Sequence, residues 1–192
     1  MSGAAEELRT FISIDVEDPS ILSKVQSAQA SLRQVGADLK IVGGQNVHVT
    51  MKFLGDVQRG MLSQVGQALD KLKFSPFTLE LKGVGAFPNT NRISIIWIGI
   101  GMGAVEVERI YDQVESELSI LGFKRENRSF NPHITIARVR SGRRRDELAG
   151  FVTKLSDNSF GSFKAEKVSL KQSILRPSGP EYRTLHEVRA AD

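Results

Sequence analysis

The chain has 192 residues, 40% of them apolar, no cysteine and a formal net charge of +4. That length supports one domain-sized core, and the missing cysteines exclude disulfides, thiolate nucleophiles and cysteine-ligated metals. No apolar run approaches the roughly 20 residues that span a bilayer, and residues 1–10 are polar and acidic where a secretory leader would be basic and then apolar, so a cytoplasmic protein with no membrane segment is expected.

Residues 10–16 alternate Phe11, Ser13 and Asp15 with Ile12, Ile14 and Val16, the period-two pattern of a half-buried strand. Asp18-Pro19-Ser20 opens a helix, with Ile21, Leu22, Val25, Ala28, Leu32 and Val35 at spacings of three and four and Gly36 at its end. A short segment closing on Gly44 leads into residues 46–55, Asn-Val-His-Val-Thr-Met-Lys-Phe-Leu-Gly, which read as a strand with a core-facing apolar side. Met61, Leu62, Val65, Ala68, Leu69 and Leu72 outline a second amphipathic helix, and Pro76 ends it. Phe77, Leu79 and Leu81 alternate with Thr78, Glu80 and Lys82 as far as a bend at residues 83–85. The turn Pro88-Asn89-Thr90-Asn91 and a return strand over residues 92–100 complete a hairpin.

Gly99, Gly101 and Ala104 fit the loose dinucleotide fingerprint, but the neighbouring strands read as an antiparallel hairpin. The βαβ setting that gives the fingerprint its meaning is missing, and no cofactor is expected. The glycines read as a turn into a helix carrying Val105, Val107, Ile110, Val114, Leu118 and Leu121. Residues 130–139 form another strand, 146–155 a helix, 163–175 a strand, 176–180 a turn and 182–188 a last strand. The order helix, His-bearing strand, helix, hairpin thus occurs twice, as duplication would produce. Arg138, Arg140, Arg143, Arg144 and Arg145 crowd behind the second His strand. They read either as a solvated turn entering a helix or as a patch attracting a phosphate backbone.

The two His strands carry the chemistry. Strand alternation puts His48, Thr50 and Lys52 on one face and Val47, Val49, Met51 and Phe53 on the other. In the second copy His133 and Thr135 share a face opposite Ile134 and Ile136. Each strand offers an imidazole and a hydroxyl roughly 7 Å apart, and two such strands side by side would assemble a four-cornered site. Two imidazoles can serve as base and acid in a displacement at phosphorus, each role contributing about 10²–10⁴-fold. The Thr hydroxyls can donate to phosphoryl oxygens where charge builds. No carboxylate sits at matched spacing and Thr is a poor zinc ligand, so no metal is expected. His186 lacks a Thr two positions on and reads as a surface or sheet histidine.

The segments His48-Val-Thr50-Met-Lys-Phe53-Leu-Gly55 and Pro132-His133-Ile-Thr135-Ile-Ala-Arg138 resemble the paired His-x-Thr motifs of the 2H phosphoesterase superfamily, and more narrowly the RNA 2′,3′-cyclic phosphodiesterases, also called 2′–5′ RNA ligases. The likeness extends from residues 11–15 to residues 178–182. It implies an α+β fold, bilobal and duplicated, with two antiparallel sheets lining a central cleft, helices outside and pseudo-twofold symmetry, all within one domain over residues 1–192. It implies hydrolysis of RNA 2′,3′-cyclic phosphate ends to 2′-phosphomonoesters, with reversible 2′–5′ ligation as a second reaction of the same groups; tRNA fragments or small cyclic nucleotides are candidate substrates. The implied roles are proton donor for His48, proton acceptor for His133, and substrate binding for Thr50, Thr135, Arg138 and Phe53, in a monomer without metal or cofactor. Phe53 is claimed twice, by the core through strand parity and by the terminal base through the resemblance. A non-catalytic RNA-end-binding protein is the rival reading.

Overall fold

Nine strands and four α-helices form among residues 6–177 and 179–191, which the computed structural model describes. In chain order they are β1 (Glu7–Asp15), α1 (Pro19–Gln34), β2 (Leu39–Ile41), β3 (His48–Gln58), α2 (Leu62–Leu69), β4 (Phe77–Asn89), β5 (Arg92–Ile100), α3 (Ala104–Ile120), β6 (His133–Val139), α4 (Arg145–Lys154), β7 (Ser159–Ala165), β8 (Lys167–Arg176) and β9 (Gly179–Arg189). The expected turn at residues 176–180 includes Ser178, which with residues 1–5 lies outside the described residues.

The strands run β7-β4-β5-β6-β3-β1-β8-β9, with β2 beside β6. The fold is α+β and bilobal: β3, β1, β8 and β9 form one lobe, and β6, β5, β4 and β7 the other. The two expected sheets are joined into one, because β3 and β6 meet antiparallel at the single pair Val49–Ile134. The pseudo-twofold axis passes through that pair.

Local chemistry sets the helices. The Asp18 carboxylate accepts from the Ser20 and Ile21 backbone N–H groups and caps α1, and Gly36, at a φ of 74°, ends it. Ile21, Val25 and Leu32 of α1 and Val107, Ile110, Val114 and Leu118 of α3 are buried against the sheet's apolar face, which includes Ile12, Ile14, Val49, Ile96, Ile98 and Ile134. Each large side chain so buried contributes roughly 1.5–3 kcal/mol. Helix α1 packs on β7 and β6, and α3 on β3, so each repeat's helix braces the other lobe.

Three expectations about elements change. Strand β1 is buried on both faces, with Phe11 and Ser13 as covered as Ile12 and Ile14, because Ile12 and Ile14 face the core while the rings of His48, Phe53 and Tyr182 pack against Phe11 on the other side. Residues 163–175 are two strands: β7 pairs with β4 at one edge of the sheet, and after Glu166 the chain pairs as β8 with β1 in the other lobe. Strand β4 passes through residues 83–85 without ending. Gly83, at a φ of 74°, takes up a bulge, and Gly85 leaves room for the Trp97 indole, which would lie 2.1 Å from a Cβ there. The loose glycine fingerprint ends at an acidic group: the Glu80 carboxylate accepts from the Met102 N–H at the start of α3, where a phosphate would have to sit.

Candidate active site

Both His strands carry the same irregularity. Against β1, Thr50 pairs with Ser13 and Lys52 with Ile12, so Met51 is an extra residue. Against β5, Thr135 pairs with Trp97 and Ala137 with Ile96, so Ile136 is extra. A one-residue bulge reverses the parity of everything beyond it. Lys52 and its counterpart Ala137 therefore join the core, 4% and 0% exposed, while Phe53 and Arg138 stand exposed on the histidine side. Phe53 is 61% exposed, with its ring centroid 6.1 Å from that of Phe11. This corrects the reading that put Lys52 on the His48 face, and it removes Phe53 from the core.

The bulges are held by buried polar groups. Gln29 Nε2 donates to the carbonyls of Val42 (2.8 Å) and Ile136 (3.0 Å), pinning the β6 bulge to α1. Beside the β3 bulge, Lys52 makes a buried ion pair with Glu115 of α3 and donates to the Lys124 carbonyl at 2.8 Å.

The Val49–Ile134 pair sets the two motifs head to tail. Antiparallel order on either side of it places His48 beside Thr135 and Thr50 beside His133, which makes the four corners. The imidazoles are oriented alike. His48 Nδ1 is 2.8 Å from the Asn46 carbonyl and His133 Nδ1 is 2.6 Å from the Asn131 carbonyl. A carbonyl only accepts, so each Nδ1 carries hydrogen and each Nε2 is left to exchange a proton. The Thr50 hydroxyl lies 3.0 Å from His48 Nε2 and donates to it in the neutral ring. The Asn at the second position before each His is a repeated signal in the sequence. Asn46 also donates to the Pro180 carbonyl at 2.9 Å, tying the first motif to β9.

Aromatic rings wall the site, and strand parity alone does not single them out. Phe11 and Tyr182 lie 5.0 and 5.4 Å from His48, and Phe87 and Trp97 lie 5.0 and 6.0 Å from His133, centroid to centroid. Burial pushes His48 down to about 4, and it also lowers His133, against the Asn131 carbonyl. Burial raises the Tyr182 phenol, opposed by the charges of Arg138 and Arg9, so Arg138 of one lobe acts on a ring of the other.

The remaining candidates separate. His186 Nε2 lies 2.7 Å from the Asp70 carboxylate and its ring packs over Gly66, joining β9 to α2 away from both motifs. In the arginine run, Arg144 and Arg145 pair with Glu147 and Asp146 of their own helix. Arg138 stands across from Lys40 of β2. Among the described residues no group of three or more His, Asp or Glu side chains has metal-binding geometry, and no helix is long and apolar enough to cross a membrane.

A family profile described as LigT-like phosphoesterase matches the chain twice, over residues 14–97 and 100–182. An RNA 2′,3′-cyclic phosphodiesterase from Aeropyrum pernix is 37% identical over 171 residues, covering 89% of this chain and 97% of the relative. One from Archaeoglobus fulgidus is 38% identical over 178 residues, covering 93% and 98%. Among solved structures, Escherichia coli LigT complexed with 3′-AMP superposes with a TM-score of 0.80 at 21% identity, covering 97% of this chain and 100% of that one. The chain belongs to the LigT-like phosphoesterase family, the 2H phosphoesterases that its paired His-x-Thr strands resemble.

Proposed function

We propose that this protein hydrolyses RNA 2′,3′-cyclic phosphate ends to 2′-phosphomonoesters, with His48 and His133 as the acid–base pair. The observation that carries the reading is the matched orientation of the two rings, each with Nδ1 committed to a carbonyl two residues back, so that Nε2 is the atom that exchanges a proton, at His48 in place of its bond to the Thr50 hydroxyl. In the step, His133 Nε2 takes a proton from water as its oxygen bonds to phosphorus. The P–O3′ bond breaks, and the leaving 3′ oxygen takes the proton of His48 Nε2. Thr50 and Thr135 donate to the non-bridging oxygens, and Phe53 and Arg138, brought to the cleft side by the bulges, flank the terminal base. Run in the same direction with a ribose 5′-hydroxyl in place of water, the same groups form a 2′–5′ linkage, and the reverse of that step cleaves it.

This reading takes residues 1–192 as one domain, since the two His strands come from different lobes of one sheet, and takes the protein as a cytoplasmic monomer needing no metal or cofactor. It is supported by the relatives that carry the name RNA 2′,3′-cyclic phosphodiesterase. The test is a short RNA with a 2′,3′-cyclic end, incubated with protein and chelator. A 2′-phosphomonoester is the expected product, and His48→Ala and His133→Ala should each lower its rate by about 10²-fold or more. Near wild-type hydrolysis by either variant overturns the site, and loss of activity on chelation overturns the metal-free mechanism.

A further inference from the structure

We propose that Asp15, held by Lys171 and Ser13, is a positioning residue that favours the proton-bearing form of His48. The inference rests on the reading of the two histidines as an acid–base pair, and gives two otherwise matched imidazoles different electrostatic surroundings.

The halves of the site agree in the His, the Thr, the bulge and the carbonyl that orients each ring. They differ at the residue facing each imidazole from the neighbouring strand. Asp15 of β1 stands opposite His48, whereas Gly99 of β5 stands opposite His133. The Asp15 side chain is only 10% exposed, and both its oxygens are engaged: Ser13 Oγ donates to Oδ1 at 3.1 Å and Lys171 Nζ to Oδ2 at 2.5 Å. Ser13 is fully buried and Lys171 13% exposed, so the carboxylate is fixed beside the ring. A buried ion pair is seldom a net source of stability, because the desolvation of both charges offsets their attraction. Apolar residues would serve a central strand at least as well, which leaves the field of the pair as its distinguishing property.

The groups around His48 are Asp15 from β1, Lys171 from β8, His133 from β6 and the edge of Tyr182 from β9, whose phenol also feels Arg9 and Arg138. Asp15 is the one carboxylate acting on the ring, and its pull towards the charged form exceeds the opposing push of Lys171. His133 has only the Asn131 carbonyl to offset burial. A phosphodiester anion entering between the rings favours protonation of both, and at His48, which burial lowers to about 4, Asp15 adds to that pull. Lys171 holds the carboxylate in place and moderates its field at the ring.

The experiment is the pH dependence of kcat on an RNA with a 2′,3′-cyclic end for D15N, D15E and K171Q. The limb on which the acid loses its proton should move down by about one pH unit in D15N and up in K171Q, where the carboxylate is left to the imidazolium alone. On the basic side of the profile kcat of D15N should fall about tenfold with KM little changed, and D15E should recover part of it. Limbs that stay in place, or that move together in the two variants, overturn the proposal. If D15N does not fold, an unmoved limb in K171Q overturns it equally. Hydrolysis by His48→Ala would instead overturn the parent reading, so the two failures are distinguishable.

Discussion

An imidazole that titrates near 6.5 in water is pushed to about 4 at His48 because its cationic form loses hydration against Phe11 and Tyr182. The unfolded chain therefore binds the extra proton first. Between pH 6.5 and 4 stability falls as pH falls, by about 3 kcal/mol in total from this residue. Urea unfolding at pH 7 and pH 4.5 should show that loss in the wild type and a smaller one in His48→Gln. Parallel losses would rule out burial of the ring as the cause. In the proposed mechanism the same depression shapes turnover. A bound phosphodiester carries a negative charge that favours the imidazolium, so the basic limb of kcat should lie at higher pH than that of kcat/KM. Coincident limbs would mean that substrate does not charge the pair.

Among the elements, the two bulged strands matter most. Period-two reasoning locates both His-x-Thr pairs and then fails beyond Thr50, because one inserted residue at Met51 reverses Lys52 and Phe53 before a second shift at Leu54. Nothing local marks the bulge in Met-Lys-Phe or Ile-Ala-Arg. It is stabilised by partners far along the chain, Glu115 and Lys124 for one strand and Gln29 for the other. Lys52 and Glu115 are nearly solvent-free, so Lys52→Met strands a carboxylate in the core and should cost about 3–5 kcal/mol in urea unfolding. The double variant Lys52→Met/Glu115→Leu should regain much of that. A single variant as stable as wild type would show that the pair does not hold α3 to β3.

At the scale of the molecule, duplication turns two weak motifs into one site, because β3 and β6 meet at the axis between the lobes. Beyond that junction β2 replaces β3 beside β6, and Lys40 stands directly across from Arg138, both exposed. Like charges so paired repel unless an anion covers them, which suits the phosphates of an RNA strand leading to its cyclic end. Added salt should therefore lower kcat/KM more for an oligonucleotide than for a 2′,3′-cyclic mononucleotide. Lys40→Ala should reduce the oligonucleotide's log–log salt slope by about 0.7; an unchanged slope removes Lys40 from the RNA path. The sequence by itself determined the two His-x-Thr pairs, the helices and the repeat, because each is written in side-chain periodicity or in residues a few positions apart. Only the tertiary structure decided the side to which Phe53 and Lys52 turn, the destination of β8, and which carboxylate faces His48. Those depend on strand register, and register is set by pairing between segments distant in the chain.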